Sequence, residues 1–196
     1  MNVIENFLLD FNLSWTASKY LPIVLIIFVW FLIFRIILNF KALTILLKIT
    51  IGILVLFLSL TSYFIFNPVY TGDIYNGGEI IETKLVFPKQ KKLIVIALSD
   101  CPYCHQSIEI LNKLTERNPK IQIEYWLTGG GFDAKIKRLK SKRIDVKQNI
   151  EIDESILLTE GVFPAFVLSQ KGKLVKRWTN QSFGSLALDE IETFFD

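Results

Sequence analysis

Two long apolar runs occupy the first third of the chain, and they predict two membrane-spanning helices. They cover residues 20–38 and 44–66, and the second has no charged side chain after Lys48. An α-helix rises 1.5 Å per residue, so about 20 apolar residues cross a hydrocarbon core of about 30 Å. Helices this long and apolar on all sides are rare in soluble domains, so we expect a transmembrane hairpin over 20–66.

The link between the two runs is short, which predicts an antiparallel pair and also its orientation. Basic residues cluster at this link: Arg35, Lys41 and Lys48. The tail before the first run has only Lys19, and the first basic residue after the second run is Lys84. Because basic residues are enriched on the cytoplasmic side, we expect the link to be cytoplasmic. The N-terminus and the large C-terminal part would then both be extracytoplasmic, in a periplasm or at the cell exterior.

Residues 1–19 form a tail whose apolar side chains recur at helical spacing. These side chains are Val3, Ile4, Phe7, Leu8 and Phe11. The spacing predicts a short amphipathic helix, either lying in the membrane interface or packed against a partner subunit. Glu5 and Asp10 in this tail, together with the length of the first run, argue against a cleaved signal peptide.

Alternating patterns follow a segment at 67–79 that is rich in turn-forming residues and is interpreted as a linker. Strands are predicted at 92–98, 121–127, 163–168 and 173–178, and helices at 102–117, 132–143 and 186–195. An additional strand is considered near 80–87. The order β-α-β-α-β-β-α predicts an α/β domain over 80–196.

Charge is concentrated in this C-terminal domain. The 196-residue chain is 51% hydrophobic, with a mean hydropathy of +0.39. Only four of its 22 basic and two of its 19 acidic residues lie in 1–66. The remaining charges nearly cancel, so we expect no nucleic-acid partner. A basic stretch at 135–147 is interpreted as the solvated face of a helix, or as a contact for anionic lipid or an acidic partner.

The two cysteines of the chain, Cys101 and Cys104, carry its candidate chemistry. Cys101 follows a predicted strand and opens a predicted helix, where free N–H groups and the helix dipole favour an anion. We therefore expect the pKa of the Cys101 thiol to be lowered and its reactivity raised. Cys104 lies one turn further on, within reach for a disulfide. Pro102 suits the first helical turn because it lacks an N–H.

Two other roles for the pair stay open from the residues alone. Zinc usually has four ligands, and the chain offers only these cysteines and His105, so no metal and no other cofactor is expected. A disulfide that staples the helix without turnover is the second alternative. His105 either tunes the thiolates through a nearby positive charge or faces solvent.

The placement of the cysteines resembles the thioredoxin superfamily, over roughly residues 80–196. Pro102-Tyr103 between the cysteines is similar to the dipeptide of glutaredoxins, and the run 99–105 is similar to bacterial periplasmic disulfide oxidases and isomerases. The resemblance implies a mixed sheet and a cis bond between Phe163 and Pro164. It also implies that Phe163 and Pro164 bind the extended substrate chain, with Pro102, Tyr103 and His105 as tuning residues.

Two positions depart from the pattern of thioredoxin itself. A buried acidic residue of the preceding strand assists proton transfer at the second cysteine in thioredoxins, and Val95 stands at that position here. Asp100 stands before the motif in place of a tryptophan. The direction of electron flow, reducing, oxidising or isomerising, is therefore not carried over.

The sequence thus predicts a membrane-anchored thiol–disulfide oxidoreductase acting on protein thiols or disulfides, with Cys101 as nucleophile and Cys104 as resolving cysteine. The predicted spans contain no cysteine, so recharging needs a redox partner protein or a small thiol. The alternative is an accessory subunit of a membrane complex, with integral-membrane partner subunits, that uses its thioredoxin-like domain for binding rather than turnover.

Overall fold

In a computed structural model the chain forms two units, Met1–Val69 and Tyr70–Asp196. The structure describes residues 3–39, 44–83, 85–98, 101–129, 144–147 and 152–196. Several predicted features lie outside these residues. They are the link at 40–43, Ser99 and Asp100, the helix at 132–143, and all of the basic stretch except its last residues.

The first unit consists of helices α1 (Val3–Asp10), α2 (Trp15–Leu38) and α3 (Ile45–Phe66). The long helices are capped by Ser14 and Thr44, whose hydroxyls accept hydrogen bonds from backbone N–H groups in the first turn. The first long helix begins five residues before the predicted start at 20. Lys19 interrupts the apolar run but not the helix, because its ammonium group pairs with Glu5 and donates to the Pro68 carbonyl.

The two long helices pack as an antiparallel hairpin. Trp30 Nε1 donates to the Gly52 carbonyl at 2.8 Å, and Lys48 Nζ donates to the Leu38 carbonyl at 2.7 Å. Gly52 has no side chain, which leaves room for the ring of Phe34. Both helices are long and apolar enough to cross a membrane, with mean hydropathies of 2.9 and 2.3. Their apolar side chains are largely exposed within this unit, as lipid-facing side chains would be.

The tail is helical, as predicted, but its buried residue differs from the expected apolar face. Leu9 is buried, whereas Val3, Phe7 and Phe11 are exposed. The helix ends at Asp10, and Asn12 follows in the left-handed conformation, with φ 59°. Val3, Phe7 and Phe11 lie four residues apart and so share one face of this region. That face keeps its interpretation as a surface for lipid or for a partner subunit.

The second unit contains a five-stranded mixed sheet. Its elements, in chain order, are α4 (Thr71–Ile74), β1 (Lys92–Leu98), α5 (Pro102–Arg117), β2 (Ile123–Thr128), β3 (Asp145–Lys147), α6 (Ile152–Thr159), β4 (Ala165–Gln170), β5 (Lys173–Thr179) and α7 (Ser185–Phe195). The strand order is β3-β2-β1-β4-β5. Strand β1 pairs parallel with β2 and antiparallel with β4, and β3 is parallel to β2.

Most predicted elements of the domain are confirmed, with three differences. Strand β3 and helix α6 were not predicted. The three residues of β3 are too few to show an alternation of apolar and polar side chains. Strands β2 and β4 each begin two residues later than predicted, at Ile123 and Ala165, the latter after the turn that contains Pro164. Among the described residues of 80–87 there is no strand. Glu79, just before this range, forms a single β-bridge with Arg177 of β5.

The core lies on both faces of the sheet. One buried cluster consists of Phe87, Ile94, Ile96, Trp126, Leu158 and Val167. Strand alternation puts Leu93, Val95 and Ala97 on the opposite face. The remaining large set of buried apolar side chains comes from α5 and α7: Cys104, Ile108, Leu111, Leu114, Ala187, Leu188, Ile191 and Phe195. This face positions the first turn of α5, which carries the cysteines.

Residues 70–79 were predicted as linker, but the structure packs them onto the domain. Asp73, which is buried, accepts hydrogen bonds from the backbone N–H of Ser185 at 2.9 Å and from that of Tyr70 at 3.0 Å. Its carboxylate thereby caps α7, whose own N-cap residue, Gly184, has no side chain. The backbones of Gly72 and Gly184 are so close that a side chain on either would collide with the other.

Replacing Asp73 by Ala is expected to lower the free energy of unfolding of the domain by about 1–3 kcal/mol. Two backbone N–H groups would lose a charged acceptor, one of them at a helix N-terminus. Urea unfolding of the detergent-solubilised protein, followed by circular dichroism, measures the loss. Glu82→Ala removes an exposed carboxylate as a matched control. Equal stability of the two variants would contradict the capping role.

Candidate active site

Cys101 is the N-cap residue of α5, which fixes the position of its sulfur. Its backbone is extended, with φ −79° and ψ 114°, and its Sγ accepts a hydrogen bond from the N–H of Cys104 at 3.2 Å. Pro102 follows at the first helical position, as predicted. In the reduced protein the same N–H and the helix dipole would stabilise a Cys101 thiolate, because a hydrogen bond to the charged form favours it.

Cys101 and Cys104 form a disulfide, with their Cα atoms 5.2 Å apart. The two sulfurs differ in access. Cys104 is completely buried under the first turn of α5, whereas Cys101 is partly exposed. An external thiol or disulfide can therefore approach Cys101 but not Cys104. This asymmetry suits a pair in which Cys101 reacts with substrate and Cys104 acts within the molecule.

The turn before β4 lies against the reactive cysteine. The Phe163–Pro164 peptide bond is cis, as the resemblance implied. Cys101 Sγ is 3.7 Å from the carbonyl oxygen of Phe163. Pro164 is buried, while Phe163 is partly exposed and packs on the core cluster. The structure thus brings together residues 62 positions apart, and it places free backbone of this turn next to the sulfur that would hold a substrate.

The other proposed tuning residues lie on the same turn of α5. Tyr103 is 59% exposed and projects from between the cysteines. His105 is partly buried, and its backbone N–H donates to the Cys101 carbonyl at 3.3 Å. Among the described residues, no group of three or more His, Cys, Asp or Glu side chains is arranged to hold a metal ion.

The strand position that carries an acid in thioredoxin is apolar here, and a tyrosine lies beside it. Val95 is fully buried and pairs with Tyr125 of β2. Tyr125 is also fully buried, and burial raises the pKa of its hydroxyl, an effect that the nearby Ser107 hydroxyl offsets only in part. Ser107 donates to the carbonyl of Cys104 at 3.0 Å. Ser107 and Tyr125 thus place two neutral hydroxyls on this side of Cys104.

A groove of about 780 Å³ opens beside the cysteine pair. Tyr103 and Phe163 line it at the cysteine end, and the segment 70–79 forms part of its wall. Clefts of this size accommodate ligands of several residues or a small organic molecule. The groove therefore offers an extended chain a surface that includes two residues next to the cysteine pair, Tyr103 and Phe163.

The groove contains a charged cluster that sequence reasoning missed. Arg177 of β5 is 2% exposed, and its Nη2 donates to Glu79 at 2.8 Å and to Glu160 at 2.6 Å. The backbones of Glu79 and Arg177 also pair, with both N–H···O distances at 2.8 Å. These residues are far apart in sequence and belong to no motif. No local sequence pattern indicates this cluster.

In the reduced protein, Cys101 is expected to react with iodoacetamide at least about ten times faster than Cys104 near neutral pH. The physical reason is its partial exposure and its place at a helix N-terminus. Brief alkylation followed by peptide mass mapping measures both rates, and Cys101→Ser shows the rate of Cys104 alone. Equal rates, or faster modification of Cys104, would contradict the assignment of Cys101 as the reactive thiol.

Comparison with known proteins gives a likeness in solved structures only. Neither a protein-family model nor a curated protein matches the chain. A secreted disulfide oxidoreductase of Mycobacterium tuberculosis shares 13% identity over 54% of this chain and 82% of that one, with a TM-score of 0.43. The thioredoxin domain of a thiol-disulfide oxidoreductase from Bacteroides vulgatus shares 17% identity over 55% of this chain and 81% of that one, with a TM-score of 0.44. StoA from Bacillus subtilis shares 13% identity over 60% of this chain and 98% of that one, with a TM-score of 0.39.

Because these scores are below 0.5, the fold is assigned from the domain itself. Three features of the domain support the assignment: the strand order, the disulfide at the N-terminus of α5 and the cis-proline that faces it. Residues 70–196 form a thioredoxin-like domain with a mixed sheet, and its Cys-x-x-Cys disulfide lies at the position typical of the thioredoxin superfamily.

Proposed function

We propose that the protein is a membrane-anchored thiol–disulfide oxidoreductase whose substrates are protein thiols or disulfides. One observation carries the proposal: a partly exposed cysteine caps α5, forms a disulfide with a buried cysteine, and faces the cis-Pro164 turn. A stapling disulfide would need neither the exposure of one sulfur nor the open groove beside it.

The geometry supports a two-step exchange. The Cys101 thiolate attacks one sulfur of a substrate disulfide, the other sulfur leaves as a thiolate, and a mixed disulfide forms. The Cys104 thiolate then attacks Cys101 Sγ and releases the second substrate sulfur. The substrate gains two electrons and two protons, and the Cys101–Cys104 disulfide is formed. The reverse sequence oxidises a substrate dithiol.

The backbone of Phe163 holds the substrate chain, both when the substrate is reduced and when it is oxidised. Its carbonyl is 3.7 Å from Cys101 Sγ, so a chain bonded to that sulfur passes directly over the turn. Hydrogen bonds to such backbone groups do not depend on side chains, which suits a protein with several substrates.

Near Cys104, the structure places the neutral hydroxyls of Ser107 and Tyr125, and Val95 stands where thioredoxins have an acid. Burial keeps Tyr125 protonated at neutral pH, since its pKa lies above its usual value. We therefore expect proton loss from Cys104 to proceed through water that enters when a substrate leaves, not through a buried carboxylate.

The proposed location follows from the two apolar helices and the basic residues at the link between them. These support an integral membrane anchor with a cytoplasmic link, an extracytoplasmic thioredoxin-like domain and an extracytoplasmic N-terminus. Recharging of the pair would then depend on a second redox protein or on small thiols, because the helices have no cysteine.

Trapping in cells with Cys104→Ala tests function and side together. Without the resolving cysteine, mixed disulfides at Cys101 persist, and mass spectrometry identifies the captured proteins. We expect extracytoplasmic proteins with cysteines. The Cys101→Ser, Cys104→Ala double variant is the control and should capture nothing.

Two outcomes would contradict the proposal. Capture of cytoplasmic proteins alone would reverse the assigned side. Capture of nothing above the control, together with wild-type function of the double variant and stoichiometric co-purification of integral-membrane proteins, would favour the accessory-subunit alternative.

A further inference from the structure

The groove beside the cysteine pair has an excess of negative charge. Its charged lining residues are Glu79, Glu160 and Arg177, which leave a net charge of −1, and the other described lining residues are neutral. The guanidinium is buried at 2% exposure, whereas the side chains of the two glutamates are 62% and 60% exposed. A molecule that enters the groove therefore meets carboxylates rather than the cation.

Each of the two glutamates has one carboxylate oxygen that can accept a further hydrogen bond. Glu79 contacts Arg177 through Oε2, and Glu160 contacts it through Oε1. Among the described residues, the other oxygen of each glutamate has no hydrogen-bond partner. The backbone pairing of Glu79 with Arg177 holds this part of the wall in place. Two acceptor oxygens are thus available to a donor that comes from outside.

Two exposed aromatic rings line the same groove as these carboxylates. Tyr75 is 69% exposed and Tyr103 is 59% exposed, and both line the groove. A tyrosine face attracts a cation and accepts the flat side of a guanidinium. Carboxylates beside exposed tyrosines match the chemistry of an arginine or lysine side chain better than that of a neutral or acidic one.

The groove is also placed so that its occupant is a substrate. Tyr103 stands between the two cysteines, and Glu160 precedes Phe163, the residue whose carbonyl adjoins Cys101 Sγ, by three positions. A chain joined to Cys101 and lying along this turn brings its neighbouring side chains into the groove.

We infer that the groove selects protein disulfides flanked by a basic residue, with Glu79 and Glu160 as the specificity-determining carboxylates. This inference rests on the proposed oxidoreductase function and adds its substrate class.

Three matched peptide disulfides test the inference. They differ only at the second residue on either side of the cysteine, which is Arg, Gln or Glu. The readout is the second-order rate constant for their reduction by the reduced full-length protein in detergent, in single-turnover mixing. We expect the Arg peptide to react fastest and the Glu peptide slowest, with about two- to five-fold between neighbours in this order at low salt. The differences should shrink at about 1 M salt, where charges are screened within about 3 Å.

Variants locate the preference. Glu79→Gln with Glu160→Gln leaves Arg177 as the charged lining residue and is expected to bring the Arg-to-Gln rate ratio to one or below, while Glu82→Gln, outside the groove, should leave the ratio unchanged. The single variant Glu79→Gln keeps one ion pair to Arg177 and should give an intermediate ratio.

The outcomes separate the two levels of the account. Equal rates for the three wild-type reactions, or a ratio unchanged in the double variant, would overturn the basic preference and leave the oxidoreductase function standing. Failure of the reduced protein to react with any of the peptides would overturn both.

Discussion

The arrangement of the site depends on Cys101, because this one residue has two structural roles. It is the residue at which α5 begins, and it is the accessible half of the disulfide. Because β1 is buried between two neighbours at the centre of the sheet, the point where it ends is fixed, and so is the start of α5. The sulfur is thereby held at the positive end of a helix, where the helix dipole and the free N–H groups of the first turn favour a thiolate.

The rest of the domain supplies what this sulfur cannot. Strand β4 is antiparallel to β1, so the Phe163–Pro164 turn before β4 lies at the end of the sheet where β1 ends. The segment at 70–79, held by the Asp73 cap on α7, adds a wall that a bare sheet edge would lack. The groove is therefore built from four parts of the chain, which are 70–79, Tyr103, 160–163 and 177–182. Its lining then depends on residues that the cysteine motif does not specify.

The parts that could be predicted from sequence are those written in local patterns. Strand β1 and helix α5 have the predicted bounds, since a buried apolar run and a helical period with a proline at its start are local signals. The cis bond at Pro164 was accessible only through a family resemblance. The Arg177 cluster was not accessible at all, because Glu79 lies 98 residues away in sequence.

The same reasoning explains the errors in the first unit and at its boundary. Hydropathy placed the start of the first long helix after Lys19, although a polar cap at Ser14 begins it earlier. A stretch rich in turn formers was taken as linker, although Asp73 ties it to a residue 112 positions away. Polar residues that find distant partners are the ones that single-sequence patterns misplace.

The most direct test of the central claim is a redox titration of the folded protein. The detergent-solubilised chain is equilibrated in dithiol and disulfide buffers, and its free thiols are counted while circular dichroism monitors the fold. If the pair is redox-active, both thiols appear together in one two-electron transition while the fold is retained. The ratio of reduced to oxidised protein then changes tenfold per about 30 mV of buffer potential. A disulfide that resists reduction until the domain unfolds would be a structural staple and would contradict the account.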